Sequence, residues 1–282
     1  MKRESILVTG GSGFVGSAVS RCLAKRAGIR VRWGVHTALP PTLRRTDELV
    51  EVDLARPETI RAAVIGVDVV LHLAHLVRGR EKDLHAVNTV GAQVLADEAR
   101  RCGVEVIALS TAAVYGDGPW RGQDIHELVE SPTSMVSRTR AAGDRYVIES
   151  GGTVIRPHFV LGPGDRWVIP RAAELVQKFG WIGLHARHTQ IGVDALAELL
   201  IATATEEGLS PGIKLAAAGA ARNLEPEIRN YLRSQKVSVD PPAAPTSRIM
   251  RSLTHAERGT LEHDLRLLTT DHYLTCSCGA VQ

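Results

Sequence analysis

Glycines stand at positions 10, 13 and 16 of the segment TGGSGFVG, directly after the apolar run SILV and directly before a stretch of helical spacing. A strand that turns into a helix through such a run suits a dinucleotide: Gly10 allows the tight turn, Gly13 lets backbone approach a pyrophosphate, and Gly16 lets helix and strand pack closely. The helix then opens with Phe14 and Val15, its N-terminus offering partial positive charge to the phosphates.

The second half of such a site reads the ribose. Folds that favour NAD place an acid about 20 residues past the glycines to hold the 2′-hydroxyl. No Asp or Glu lies between Glu4 and Asp47. His36, Arg44 and Arg45 follow the second apolar run, with Arg32 inside it, and a 2′-phosphate would meet cations there. NADPH is therefore expected over NADH; solvated loop charges are the competing reading of the arginines.

Other reactive residues are less organised. Cys22 and Cys102 fall in helical segments and suit small buried hydrophobes. Cys276 and Cys278 lack the second ligand pair of a zinc site. His126, His185, His188, His255, His263 and His272 show no metal-ligand spacing, so no metal is expected.

These residues need a scaffold, and the chain supplies one. Hydrophobic residues make up 44% and charged residues 23%, the balance of a soluble globular protein. The net charge of +3 comes from scattered residues, which sets nucleic acid aside. No apolar run is long enough to span a bilayer, and the N-terminus enters a strand too early for a signal peptide. A cytoplasmic protein without a membrane partner is expected. Apolar runs at 5–9, 29–37, 49–55, 67–74, 104–111 and 153–157 alternate with helical segments, including 83–103 and 138–150. That alternation predicts a Rossmann-type α/β fold, a doubly wound parallel sheet. The expected division is a dinucleotide-binding part over 1–165 and a smaller, helix-rich, mainly substrate-binding part over 166–282, with 186–218 returning to the sheet. The last 35 or so residues read as helix plus a loose tail, and the proline-rich 239–247 ends a helical unit.

Several ordered segments resemble the extended short-chain dehydrogenase/reductase family, also called the NAD-dependent epimerase/dehydratase family. VEVDLARPETI matches the segment in which an acid, here Asp53 with Leu54 beside it, contacts adenine. VDVVLHLAH matches the strand whose end, Leu73, Ala74 and His75, lies by the cofactor. Asn88 falls in the expected helix. IALSTAAVYG matches the strand carrying the active-site hydroxyl, here Thr111. IRPHFVLGPGD matches the stretch passing the nicotinamide, which implies roles for Pro157, His158, Phe159 and Val160. QIGVDALAELLIA matches a helix of the C-terminal part.

The resemblance also exposes a departure. Family members carry Tyr-x-x-x-Lys on the active-site helix, the tyrosine transferring a proton at the carbinol oxygen and the lysine holding the ribose. Here VSRTR (136–140) takes that place, with Val136 for the tyrosine and Arg140 for the lysine. None of the four tyrosines is followed by lysine four residues on. Thr111 keeps its hydroxyl; Arg140 can bond ribose hydroxyls but stays protonated.

An epimerase or dehydratase needs the missing base. A ketoreductase can take its proton from a hydroxyl of the substrate or from water. The chain resembles the atypical tailoring ketoreductases of antibiotic biosynthesis, which implies NADPH-dependent reduction of a polycyclic aromatic, angucyclinone-like ketone; the alternative is a non-catalytic NADP(H)-binding sensor or scaffold. His75, Thr111, Ala112, Tyr115 and Trp167 are the expected substrate contacts, His75 lining the pocket or donating a proton. Trp120, Phe179 and Trp181 are candidates to cover the pocket. Family members often dimerise through helices near 85–102 and 138–150; the polar second helix argues mildly against it, leaving monomer or homodimer.

Overall fold

The segment Ser5–Thr9, SILVT, is buried along its whole length, as a strand with helices on both faces must be. It forms β1 of the computed structural model, which describes residues 3–181, 184–205, 211–238, 249–251, 253–254 and 260–275. Six more strands join it: β2 (Arg30–Val35), β3 (Glu48–Glu51), β4 (Val69–His72), β5 (Glu105–Leu109), β7 (Thr153–Pro157) and β10 (Gly212–Ala216). Every pairing is parallel, and the order is β10-β7-β5-β4-β1-β2-β3. The chain leaves β1 for β2 on one side and later returns to β4 on the other. The crevice above the ends of β1 and β4 is thus the topological switch point, where such sheets bind ligands.

Helices cover both faces. On one, α1 (Phe14–Ala24) packs with α7 (Val193–Thr205) through Val19, Leu23, Leu196 and Leu200. On the other lie α2 (Pro57–Val64), α4 (Ala92–Arg101) and α5 (Met135–Glu149), their core formed by Ile60, Leu95, Ala99 and Val147. A third core gathers α6 (Ile169–Phe179), α8 (Glu225–Ser234) and α9 (Thr260–Thr269) around Leu175, Ile228 and Leu265.

Several features depart from the sequence expectation. The long helix expected over 83–103 is α3 (Glu81–Leu84), a π-helical stretch His85–Gly91, and α4. The helix expected over 138–150 begins at Met135, because Ser134 and Ser137 cap it reciprocally: each hydroxyl accepts the other residue's backbone N–H. Two small parallel ribbons were not expected, β6 (Trp120–Asp124) with β11 (His272–Thr275) and β8 (Phe159–Leu161) with β9 (Gln190–Gly192). Part of the expected loose tail is therefore a strand. Cys22 is buried as expected, but Cys102 is exposed at the end of α4. The 239–247 stretch, Cys276, Cys278 and His255 lie outside the described residues. Among the described residues no helix is long and apolar enough to cross a membrane.

Candidate active site

The glycine turn is built by contact. Gly10 has φ of 75°, and a Cβ there would stand 2.6 Å from the backbone nitrogen of Ala74. A Cβ on Gly16 would meet the Gly10 carbonyl at 2.0 Å. The turn, the start of α1 and the residues after β4 are thus pressed together at the switch point. Gly13 is the N-cap of α1, no side chain caps that end, and no acid stands in its first turn. The first amides, those of Phe14 and Val15 included, are left to a ligand, and a pyrophosphate fits this cradle. Thr9 Oγ1 bonds His72 Nδ1 at 2.8 Å, tying the ends of β1 and β4 together below it. Leu73 is buried, while Ala74 and His75 are half-buried. His75 lies 5.1 Å from His72, ring to ring. Pro157 ends β7; beyond it His158 and Val160 are half-buried and Phe159 is buried.

At the far end of the crevice the expected cation set changes. Arg44 is turned inward: Nε donates to Asp47 Oδ1 at 2.8 Å, Nη1 to the Arg26 carbonyl and Nη2 to the Ile29 carbonyl. It clamps the β2–β3 loop, and its donors are spent on the protein itself, so the 2′-phosphate role expected of it is corrected. Arg32 is likewise held by Glu48 and the carbonyls of Ala63 and Ile65. His36 is exposed, 3.7 Å from Asp53 Oδ2, and Arg45 is exposed nearby in sequence. Asp53 also accepts from the Ala55 amide and Arg56, and Leu54 is buried.

The helix α5 is held in register by a buried acid. Asp144 Oδ2 accepts from Arg156 Nη2 at 2.8 Å and from Ser110 Oγ at 2.6 Å, and Glu130 accepts from the same guanidinium. Burial opposes the charge of Arg156, yet Asp144, Tyr115 and Glu130 hold its pKa above the ordinary value. One turn before Asp144 comes Arg140, and one turn before that Val136. Thr139 between them is buried and bonded to Asn88 Nδ2 at 3.2 Å. Arg140 donates through Nη2 to the Leu109 carbonyl at 2.9 Å, while its buried Nε has no partner among the described residues. Burial lowers its pKa to about 10, against the pull of Asp144, so it remains charged at neutral pH. Thr111 Oγ1 accepts from the Ala113 amide at 3.2 Å, which leaves its own hydrogen free to be donated.

A model of the NAD dependent epimerase/dehydratase family matches residues 6–183, well over half the chain. The chain belongs to that family. It is 28% identical over 189 residues to 4-hydroxy-2-methyl-3-oxo-4-farnesyl-3,4-dihydroquinoline-1-oxide ketoreductase of Stigmatella aurantiaca, covering 62% of this chain and 56% of that protein. It is 29% identical over 188 residues to 2-alkyl-3-oxoalkanoate reductase of Stenotrophomonas maltophilia, covering 60% and 54%. The matched part thus spans little more than half the length of these relatives. Among solved structures, Bordetella bronchiseptica WbmH in complex with NAD+ superposes with a TM-score of 0.74 at 18% identity, covering 86% of each chain. The UDP-glucuronic acid 4-epimerase of Bacillus cereus in complex with NAD gives 0.70 at 18% identity, covering 84% of this chain and 86% of that one.

Within this family frame, some expected substrate contacts are placed elsewhere. Tyr115 is buried, its hydroxyl accepting from Arg156 Nη1 at 3.0 Å, and burial raises its pKa. It braces the ion pair. Ala112 is wholly buried. Trp120, expected over the pocket, is buried edge-on to Tyr115 and His272. Trp167 is 44% exposed with the Arg78 guanidinium 4.4 Å above its ring, so it joins the loops after β4 and β8. Trp181 carries Arg229 over its ring, and Phe179 packs on the third core. His75 is pushed well below 6.5 by burial, then by Arg140 and His72, and is a neutral imidazole. A cavity of about 600 Å³ opens beside the site, lined by Leu161, Gly162, Gln190, Arg222, Glu227 and Tyr231. The last four were not anticipated. Their only signal was the glycine- and proline-rich loop at 162–164, which leaves room beside it.

Proposed function

We propose that the protein is an NADPH-dependent ketoreductase that reduces a ketone of a polycyclic aromatic, angucyclinone-like polyketide intermediate to a secondary alcohol. The proton comes from a hydroxyl of the substrate, or from water, in place of a tyrosine. The observation that carries this reading is the register of α5. With Asp144 bonded to Arg156 and Ser110, Arg140 and Val136 lie one and two turns before it, which supports reading them at the positions of the family's lysine and tyrosine.

When bound, the nicotinamide supplies the hydride. The chain's own residues then have three tasks. The uncapped start of α1 holds the pyrophosphate. Arg140, with a buried Nε left over, bonds ribose hydroxyls and stays cationic near the carbonyl, where negative charge develops on oxygen. Thr111 donates its free hydroxyl hydrogen to that oxygen, and the substrate's neighbouring hydroxyl completes the transfer and is reprotonated by water. Neither Val136 nor a neutral His75 serves as a general acid.

Magnitudes support this direction of chemistry. A positioned general acid contributes about 10²–10⁴-fold, whereas holding the reactants together contributes up to roughly 7–11 kcal/mol. Reduction of an activated ketone survives loss of the first term. Epimerisation or dehydration, which must deprotonate an unactivated alcohol, does not. The substrate named for the Stigmatella relative has a hydroxyl on the carbon beside its ketone, on a fused ring, the arrangement that substrate-assisted protonation needs.

The test is NADPH oxidation with hydroxylated polycyclic ketones and their O-methylated counterparts. Turnover with the free hydroxyl and its loss on methylation are expected. Tight NADPH binding with no turnover on any ketone would replace this reading with that of a non-catalytic NADP(H) sensor or scaffold.

A further inference from the structure

Three histidines far apart in the sequence meet on the seam between the sheet and the C-terminal helices. His158 follows β7, His188 precedes β9, and His272 opens β11. Their ring centroids lie 5.4 to 5.9 Å apart, and one nitrogen from each falls within 4.8 Å of the others. His188 and His272 show no metal-ligand spacing in the sequence, and His158 was expected beside the nicotinamide; the fold supplies the juxtaposition that spacing did not show.

The polar accounting of the cluster is incomplete. His188 and His272 are 1% and 0% exposed. Among the described residues, His158 Nε2, His272 Nδ1 and both ring nitrogens of His188 are buried without a partner of hydrogen-bonding geometry. Buried polar atoms are almost always paired, and an unpaired one is costly. One nitrogen from each ring lies within 4.8 Å of the other two, a His188 nitrogen also lies toward the Leu268 backbone, and three imidazoles this close cannot all be cations.

His272 identifies the partner's class. Its Nε2 lies 2.9 Å from the Asp117 carbonyl. A carbonyl only accepts, so Nε2 carries the hydrogen and Nδ1 keeps its lone pair. An imidazole that donates one nitrogen to a carbonyl and turns the other to a shared centre has the usual arrangement of a metal ligand. Gly118 shapes this contact: its φ is 65°, and a Cβ there would lie 2.8 Å from the His272 ring. Trp120 stands edge-on to His158 and His272, and Phe159 lies against His158 and His188. These aromatic walls fix the rings and limit water.

We propose that His158, His188 and His272 form a binding site for one divalent transition-metal ion of the zinc class. Three neutral nitrogen ligands suit zinc and its neighbours and disfavour calcium or magnesium, which take oxygen. Nitrogens on one tetrahedral zinc stand about 3.4 Å apart, given bonds of about 2.0–2.1 Å. The rings therefore close in by roughly an ångström on loading, and water takes the fourth position. The ion pins β11 to the β8–β9 ribbon, where the Thr189 amide already donates to the His272 carbonyl and the His272 amide to the Arg187 carbonyl. The site thus fastens the C-terminal strand beside the cavity wall and does not depend on the reductase reading.

Untagged protein, stripped with chelator, is titrated with Co²⁺ and followed by visible absorption, and with Zn²⁺ against a chromogenic chelator. One ion per chain, an intense four-coordinate cobalt spectrum displaced by Zn²⁺, and a higher melting temperature with Zn²⁺ are expected. His158→Gln and His188→Gln should each weaken Zn²⁺ by more than the roughly 10–100-fold that loss of an outer hydrogen-bond partner costs. His185→Gln, an exposed histidine outside the cluster, should bind as the parent does. Absence of stoichiometric binding, a weak six-coordinate spectrum, or unchanged affinity in His158→Gln would overturn the site. If His188→Gln does not fold, the spectrum of the parent protein and the half-buried His158 variant decide the matter.

Discussion

Arg156 on β7 and Asp144 on α5 form an ion pair at 2.8 Å with both side chains almost wholly removed from water, at 0% and 3% exposure. The pair does two things at once. It fastens α5 to the sheet, and by drawing in Ser110 and Tyr115 it fixes the end of β5 from which Thr111 projects. The geometry of the site therefore rests on a buried charge pair outside it.

Removing one partner leaves the other charged and buried, which costs about 3–5 kcal/mol. Arg156→Met should lower the free energy of unfolding by that order in urea denaturation. Asp144→Asn keeps shape and loses charge, and should destabilise too. A loss under about 1 kcal/mol in both variants would mean that the helix is held chiefly by its apolar contacts.

Much of this scaffold was legible. The glycine turn lies where the apolar run of β1 meets helical spacing, and both signals are local. That Val136, Arg140 and Asp144 lie one turn apart on a single helix was also readable, because they are spaced by four residues in a segment of helical pattern. What could not be read depends on contacts between distant segments. WRGQD and HYLT, which form β6 and β11, are short and only partly apolar, and each is a strand because the other lies beside it. The three-histidine cluster has no periodicity at all. Arg44 looked like a ligand group because its sequence neighbours are basic; the carbonyls of Arg26 and Ile29 that claim it come from another turn of the chain.

That inward turn of Arg44 separates two kinds of variant. Arg44→Ala should lower stability, through loss of its clamp on Asp47 and two carbonyls, while leaving the NADPH-to-NADH preference in kcat/KM unchanged. His36→Asp places a carboxylate where a 2′-hydroxyl is read and a 2′-phosphate repelled, and should move the preference toward NADH by about tenfold or more, since 1.4 kcal/mol of discrimination suffices. Parallel binding titrations with both cofactors check the pair. A preference that shifts with Arg44→Ala would return that residue to the site.

Thr111 and Val136 divide the catalytic prediction. Thr111→Ala removes a neutral donor to the carbonyl oxygen and should lower kcat by about 10-fold, the worth of one neutral hydrogen bond, with Thr111→Ser near the parent. The double variant Val136→Tyr with Arg140→Lys restores the family's pair. It should raise turnover of ketones that lack a neighbouring hydroxyl by up to about 10²–10⁴-fold, and change little for those that have one. Equal gains on both substrate types would mean that the substrate hydroxyl contributes no proton.

His72 gives a pH dependence of stability. Burial first, and then the charge of Arg140, lower its pKa from 6.5 to about 4. Thr9 Oγ1 at its Nδ1, the His75 ring and the Arg140 guanidinium are the groups that face it, and none is an acid that would favour the charged form. Between pH 4 and 6.5 the unfolded chain holds a proton at this residue that the folded chain refuses. Stability contributed by the neutral imidazole is therefore fully present above about pH 6.5 and is lost as pH falls toward 4, by up to roughly 3 kcal/mol for the one group. His72→Gln removes the titration while keeping a polar group beside Thr9. Unfolding free energies measured from pH 4 to pH 7.5 should fall less steeply on the acid side for His72→Gln than for the parent, with the two curves parallel above pH 6.5. Identical acid limbs would show that His72 is protonated in the folded protein as readily as in the unfolded chain.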